Sequence, residues 1–511
     1  MNPICRPNER HRPSKAALAR QRVRRGLLAG VVFSTVASGA ARPATPPSTP
    51  SFYVDSANGS DANDGRSRDT AWKTVAPVNA MVFPPGSHVV FRAGQTFAGP
   101  VSLHGSGKRT TLNVVDRYGQ GPNPHVAIPA GQGAVLSLLN EECWEVRNLE
   151  LSGGAIGVFT YLKEFGVAHH LHFKHLDIHD VRGGLTGDDG GFLLKREGLT
   201  TWFDDLLIEG CSIKRVDRNG ILHTDYPTAS DQHHSTHVVI RGNHLRDIGG
   251  DGIFILGCDD ALIERNVLRY AHQRVGRRPG ERACAGIWPH RCNRTIIQLN
   301  EVSHTAVGGV TVWDSEAFDD DNSCRDTVFQ YNYSHDNAGG FLLLCGGAKG
   351  TLVRYNVSQN DAVATFSLEG DGVEDVSIYN NVFYVGPDLT VNMTRNTFGH
   401  PRNVRYFNNL FYAEGTMTYN LGAVAETAFE DNAFFGNHPG RPAEAHAVTS
   451  DPLLVRPGSG GNGAATAAGY KLKPGSPCRN AGKAVANNGG RDFWGNRVLR
   501  DGPPSIGAHN P

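Results

Sequence analysis

One short phrase recurs through residues 239–434 with different words in the same slots. It reads VVIRGNHLRDIGGDGIFIL, ALIERNVLRYAH, TIIQLNEVSHTAVGGVTVW, TVFQYNYSHDNAGGFLLL and TLVRYNVSQNDAVATFSL, then VSIYNNVFYVG, VRYFNNLFYAEG and AFEDNAFFGN. Each copy sets β-branched residues before an Asn, more strand formers after it, then a polar pair and often Gly-Gly with a second apolar run. The recurring residues are Asn243, Asn266, Asn300, Asn332, Asn356, Asn381, Asn409 and Asn432. Their spacing, roughly 23–34 residues, lies in the range of repeat architectures.

A unit this short cannot bury its own apolar face, but stacked copies can, and each strand then finds a backbone partner above and below. The chain is therefore read as an all-β solenoid, a single parallel β-helix with one rung per repeat and about ten or more rungs. Gly, Asn and Asp clusters supply the tight corners. Asn in one slot per rung predicts a ladder of side-chain amides along the axis, with Asn148, His175 and Cys211 filling that slot in earlier rungs.

With these repeats the chain resembles the right-handed parallel β-helix proteins of the pectate-lyase-like superfamily. The resemblance implies a secreted carbohydrate-active protein with a capped first rung and an extended closing tail. The opening FYVDSANGSDANDGRSRDTAWKTVAPVN resembles such a cap, and YKLKPGSPCRNAG with DFWGNRVLRDGPPSIGA resembles such a tail. The expected organisation is a signal peptide over 1–41, a Pro-rich linker over 42–51, and a cap with first rungs over 52–135. The helix proper follows over 136–436 and the tail over 437–511.

The leader reading rests on Arg20, Arg22, Arg24 and Arg25 before the apolar run Leu27–Ala37, with small residues at Ser38 and Ala40. The pair Arg24-Arg25 resembles a twin-arginine signal. Export to the periplasm or the medium is the expected localisation. A net charge of +0 excludes a broad basic surface, and with it nucleic acid as a partner. No apolar run reaches the length of a membrane span. A monomer acting on a polysaccharide or oligosaccharide is expected.

Cysteine usage permits disulfides in an exported chain. Cys258 and Cys292 each follow an opening glycine by six residues, so stacked rungs would bring them within bridging range. Cys284 with Cys292 and Cys324 with Cys345 are rival pairs, and buried free thiols are the remaining alternative. No Cys-x-x-Cys is present, which argues against a zinc cage. Calcium is the one cofactor considered: Asp55, Asp61, Asn63 and Asp64 before Gly65 resemble part of a calcium loop, with turn capping as the other reading.

Three stretches read as excursions from the rungs: Leu185–Phe203, the basic segment Gln273–Arg282, and the acidic SEAFDDDNSCRD. Excursions on solenoids gather on the binding face. Aligning rungs on their opening glycine puts Asp225, Arg291, Asp314 and Glu369 in one row, with His290 and Trp313 beside it. Carboxylates beside an aromatic face suit glycoside cleavage, one as acid and one as base or nucleophile. The candidate catalytic residues are thus Asp314, Asp225, Glu369, Asp320, His290, His335 and Asp336. Trp313, Trp288, Arg291, His223, Asp251 and Asp189 are candidates for substrate binding, and no residue is assigned to a metal. A second row, Asp180, Asp217, Asp247, His304, His335–Asp336 and Asn360–Asp361, reads mainly as corner residues.

Three activities fit. A glycoside hydrolase would use the carboxylate row. A lyase on a uronic acid polymer would use Arg291 and the arginines of 274–282, with calcium, to acidify a C5 proton. A non-catalytic glycan binder would treat the acids as solvated corners. The Asn-Thr-Asp, Asp-Asp, Gly-His-Gly and Arg-Ile-Lys set of polygalacturonases does not occur here.

Overall fold

The repeated Asn is the hinge on which every rung turns. The computed structural model describes residues 50–185, 187–225, 233–275, 284–306 and 314–511. Within them each rung runs through a strand of a first sheet, the Asn slot, a strand of a second sheet, a corner, and a strand of a third sheet. One rung is Ser235–Arg241, His244–Ile248 and Ile253–Leu256, and the next is Leu262–Glu264, Val267–Arg269 and Ile287–His290. All strand pairings between these rungs are parallel and in register. The first sheet begins at Ser51–Val54, which pairs with His88–Arg92, and contains fifteen strands. This is the parallel β-helix that the repeat predicts. Among the described residues no helix is long and apolar enough to cross a membrane.

The amide ladder is continuous. Nδ2 of Asn243, Asn266, Asn300, Asn332, Asn356, Asn381 and Asn409 donates to Oδ1 of the next Asn at 2.9–3.1 Å. The same Oδ1 atoms also accept the backbone N–H of the preceding ladder residue. Buried backbone groups at a corner must find partners, and here the side chains provide them. The residue before each ladder position is left-handed: φ is +55° at Arg265, +57° at Leu299, +58° at Tyr331 and +51° at Tyr355. That conformation costs an L-residue about 1–2 kcal/mol, which the amide bonds of the adjoining slot offset.

The earlier slots differ from expectation by one residue. Leu149 and Leu176, both fully buried, precede Cys211 in the ladder column, while Asn148 and His175 take the left-handed position before it. Cys211 does hold the slot, its N–H donating to Asn243 Oδ1 at 2.9 Å. The second corner row is a corner indeed: Asp180, Asp247, His304, Asp336 and Asn360 all have φ between +56° and +58°.

Phe, Ile, Leu and Val from the inward faces of all three sheets fill the axis as one core. The eight cysteines of the described residues are buried, and no disulfide joins them. Cys258, Cys292 and Cys324 do stack, but as a thiol ladder at the third-to-first corner: the N–H of Cys258 points to Cys292 Sγ and that of Cys292 to Cys324 Sγ. The disulfide expectation is corrected accordingly.

Two of the expected excursions are strands. Gly190–Glu197 pairs with the strands on both sides of it in the third sheet. Glu316–Asp320, the heart of the acidic stretch, is likewise a third-sheet strand, pairing with Ile287 and with Gly340–Cys345. In the cap, Asp61 accepts from the N–H groups of Lys73 and Thr74, and Asp64 from Arg66 N and Thr70 Oγ1. Asp55 likewise accepts from Ala57 N and Asn58 N. These are turn-capping roles rather than a calcium loop. The tail packs on the second sheet, where Leu454, Tyr470, Leu472 and Ile506 cover Tyr333, Val357, Val382 and Leu410. Residues 1–49, Arg277, Arg278 and Arg282 lie outside the described residues, and the leader call with them.

Candidate active site

Parallel pairing turns a strand's alternation into rows across rungs, so the outward positions of the third sheet form columns. Ile253, Ile255, Ile287, Phe318, Leu342, Leu344, Phe366 and Leu368 face the core. Their neighbours face out. One column runs Leu222, Phe254, Trp288, Asp319, Leu343, Ser367 and Arg395, and the next Leu256, His290, Asp321, Cys345 and Glu369.

At the centre of these columns, aromatic rings meet carboxylates. The ring of Trp288 lies flat on Phe254 with centroids 3.6 Å apart and planes 5° from parallel, and His290 meets both edge-on. Asp251, buried at the corner below, accepts from Trp288 Nε1 at 2.9 Å and from Ala285 N at 3.1 Å. Its other oxygen takes Arg218 Nη1 at 3.0 Å. The indole orientation is therefore fixed from behind.

One rung on, His290 Nδ1 stands 2.7 Å from Asp321 Oδ2. Asp319, two residues before Asp321 on the same outward face, sits beside Trp288 through the register Ile287↔Phe318 and His290↔Asp321. Both aspartates are only 5% exposed. Asp314, half-buried with φ +68°, leads into the same strand. Burial first, then the charges of Asp321 and Asp314, hold the Asp319 carboxyl well above the usual carboxylate range. Its Oδ1 has no hydrogen-bond partner. One carboxylate held by a histidine and one carboxyl kept neutral by its surroundings are the elements of acid–base work on a glycosidic bond.

Further along, Glu316 and Glu369 flank Arg395. Arg395 Nη2 is 3.6 Å from Glu316 Oε1, and its Nε is 3.4 Å from Glu369 Oε1. Glu369 also accepts Thr397 N and Oγ1 at 2.8 Å. Glu369 thus shares the column of Asp321, two rungs away, and is engaged in holding the loop at Thr397.

A family model described as a right handed beta helix region matches residues 197–383. A crystal structure of a GH136 lacto-N-biosidase from Eubacterium ramulus superposes with a TM-score of 0.57. Its identity to this chain is 23%, over 74% of this chain and 68% of that one. XylC in complex with xylose gives 0.55 at 11% identity, over 90% and 98%. The chain is a right-handed parallel β-helix protein. Among curated proteins, lacto-N-biosidase of Bifidobacterium longum subsp. longum is 28% identical to this β-helix chain over 89% of its length. The chain spans 36% of the length of that relative.

The β-helix places the other expected residues in three different settings. Asp225 does meet Arg291, at 3.1 Å, but as an ion pair closed by Arg196 at 3.2 Å on its other oxygen. His223 points into the core between Leu256 O and Ser235 Oγ, where burial pushes its pKa down to about 4. Asp320 also points inward, accepting from Thr327 Oγ1 at 2.8 Å and Thr351 Oγ1 at 2.6 Å. These two are therefore corrected from site to core residues.

His335 and Asp336 lie on the second sheet and its corner, beneath the tail, and are corrected out of the site as well. They form a 2.8 Å pair, and the carboxylates of Asp336 and Glu301 outweigh burial to raise His335 to about 9. Asp189 stands at a corner toward the N-terminal end, raised by burial and by Asp188. Arg274 is bound to Asp247 and to Val216 O. Trp313 lies outside the described residues. Asp319 and Asp321 were missed because the acidic stretch was read as a loop. The alternation of Asp319 and Asp321 against the inward Phe318 was the signal that could have found them.

Proposed function

We propose that the chain is a glycoside hydrolase that cleaves an oligosaccharide on the third-sheet face, with Asp321 and Asp319 as its working carboxyls. The observation that carries this reading is the convergence of Asp319, Asp321, His290 and the Phe254–Trp288 stack on adjacent rungs. The similarity to lacto-N-biosidase supports a related substrate, an oligosaccharide from which a lacto-N-biose unit is released.

In this reading the sugar ring lies on Trp288, whose orientation Asp251 holds. Asp321, aligned by His290, faces the anomeric carbon. Asp319 holds a proton, because burial and then the charges of Asp321 and Asp314 oppose its ionisation. It delivers that proton to the glycosidic oxygen as the bond to the anomeric carbon breaks. Water supplies the hydroxyl of the new reducing end and returns the proton.

Among the described residues, the arginines on which a lyase would depend are held in ion pairs, Arg291 with Asp225 and Arg274 with Asp247. The test follows the purified protein on a chromogenic lacto-N-bioside and on a panel of neutral and acidic glycans, with and without calcium. New reducing ends without ultraviolet absorbance are expected. Absorbance of unsaturated uronates rising with the reducing ends would replace this reading with the lyase.

A further inference from the structure

A second cluster of reactive side chains stands on the outer face of the second sheet, in the first rungs and away from the proposed hydrolytic site. Outward positions there pair as His125↔Glu150↔Asp177 and Ala127↔Ser152↔His179. The small Ala127 and Ser152 leave Glu150 free to lean diagonally toward His179. Glu150 Oε1 lies 3.0 Å from His179 Nε2 and 4.0 Å from His125 Nε2. The ligand atoms of His125, Glu150 and His179 all fall within 4.8 Å of one another, and all three residues are half-buried.

We propose that His125, Glu150 and His179 bind one divalent transition-metal ion, with zinc as the fitting species, and so clasp the first rungs of the helix together. Two imidazoles and one carboxylate are a zinc donor set, with bonds of about 2.0–2.2 Å to each. Tetrahedral bonds of that length set ligand atoms about 3.4 Å apart, between the two distances found here. An open fourth position is left for water.

The surrounding residues prepare the histidines for this role. His179 Nδ1 is 2.7 Å from Asp180 Oδ2. A carboxylate on one ring nitrogen fixes the tautomer that leaves the other nitrogen's lone pair for a metal. Asp180 is itself held by Arg215 Nε at 2.7 Å and Nη2 at 2.6 Å, and Arg182 Nη2 lies 3.5 Å from its Oδ1. The nearby Lys214 ammonium is engaged with Asp177 rather than Glu150. His125 Nε2 faces Ser152 Oγ at 2.7 Å, a small neutral partner that a cation can displace.

A comparable trio on the first sheet, Glu145, His170 and His172, also has a carboxylate, Asp205, on a ring nitrogen of each histidine, but its own glutamate is already taken. There Lys174 Nζ already sits 3.2 Å from Glu145 Oε1, so a cation of the chain neutralises the carboxylate.

The test strips the purified full-length protein with a chelator and titrates it with zinc chloride against a chromogenic competitor. One zinc per chain is expected, together with a chelator-reversible rise in melting temperature. His179→Ala and Glu150→Gln should abolish binding, and Asp180→Asn should weaken it by about tenfold or more. Glu150→Gln is isosteric, so it keeps the fold even if His179→Ala does not. Cobalt in place of zinc should show the visible absorption of a four-coordinate site in the wild type and not in Glu150→Gln. Failure to bind zinc, or binding unchanged in Glu150→Gln, overturns the proposal. Binding lost in His170→Ala but kept in His125→Ala does the same.

Discussion

His290 and Asp321 face each other across two rungs, Nδ1 to Oδ2, at 2.7 Å. The contact joins a histidine of a conventional rung to a residue just past the acidic strand Glu316–Asp320, and it orients the carboxylate for which we infer the central catalytic role. Asp321→Asn keeps a partner for His290 and the shape of the site. It should lower the rate of glycoside cleavage by about a thousandfold, with KM and melting temperature close to wild type. Initial rates on the chromogenic substrate, with circular dichroism melts in parallel, decide this. Activity near wild type would remove Asp321 from the mechanism.

The Trp288 platform makes a separable contribution. Its ring offers a flat apolar surface to a sugar, while its Nε1 is committed to Asp251. Trp288→Ala should therefore raise KM by about tenfold or more, the effect of losing roughly 1.5 kcal/mol of ring contact, and change kcat less. Trp288→Phe should recover most of that loss. Asp251→Asn should behave like a mild form of Trp288→Ala, because it frees the indole without removing it. A full kinetic series on the same substrate separates these outcomes.

The sequence made the fold legible and left the site half hidden, for one reason. The Asn slot repeats because it solves the same corner problem in every rung, so the stacking could be read from Asn243 to Asn432. The groove had to be inferred from register, and register was anchored on glycines. Gly220 and Gly286 gave a sound anchor, which is why Asp225 and Arg291 meet as expected. In the rung after Glu301 the anchor was Gly309, but the third-sheet strand is Glu316–Asp320. Asp314 was thereby placed in the column that Asp321 and its neighbours occupy. A strand written with acids at both inward and outward positions does not look like a strand, since Asp320 faces the core where a Val or Leu would be expected.

That inward aspartate gives a stability prediction. Burial pushes the pKa of Asp320 up to about 6, although the hydroxyls of Thr351 and Thr327 pull the other way. In the unfolded chain it titrates at its ordinary value near 3.8. The folded state thus holds the proton more tightly, and the stability this confers is fully present below the unfolded pKa. It declines as pH rises between about 4 and 6 and is then flat. Asp320→Asn should flatten that part of the stability–pH curve. The change should be of order 2–3 kcal/mol, as a two-unit shift implies. Urea unfolding at a series of pH values measures it, and an unchanged slope would contradict the assignment.

The amide ladder should be the most sensitive element of the middle rungs. Asn332 accepts from Asn300 N at 3.0 Å and from Asn300 Nδ2 at 3.1 Å. It donates to Ile297 O at 2.8 Å and to Asn356 Oδ1 at 3.0 Å. Replacement by Ala leaves Asn300 with two unpaired buried donors, at about 1–3 kcal/mol for such groups, and opens a small void. Asn332→Ala should destabilise the chain by about 3–5 kcal/mol. Asn432 accepts the same two donors from Asn409 and donates to Glu444, so the same change there should cost a similar amount. Urea melts of the two variants compare them directly.

The thiols provide the last prediction, and it bears on how the rungs are held together. Cys258, Cys292 and Cys324 stack in the third-to-first corner, the sulfurs of Cys292 and Cys324 each accepting the N–H of the cysteine before it in the stack, and none is bridged. Each is buried, and burial raises Cys258 and Cys324 well above the ordinary thiol range. The thiolate is the reactive form, so Cys258 and Cys324 should be inert in the folded protein. At Cys292 the hydrogen bonds of the Cys258 and Cys324 thiols outweigh burial and pull the other way, and its complete burial is what shields it. A disulfide-exchange reagent should label none of them in the native state and all of them in denaturant. Reductant should leave the melting temperature unchanged. A melt that falls in reductant would show a bridge, with Cys258–Cys292 as the pair to test first. Cys292→Ser is a further probe: it keeps an acceptor for the N–H of Cys258 while burying a hydroxyl among apolar neighbours. Its cost should be about 1–3 kcal/mol, and it should be unaffected by redox conditions.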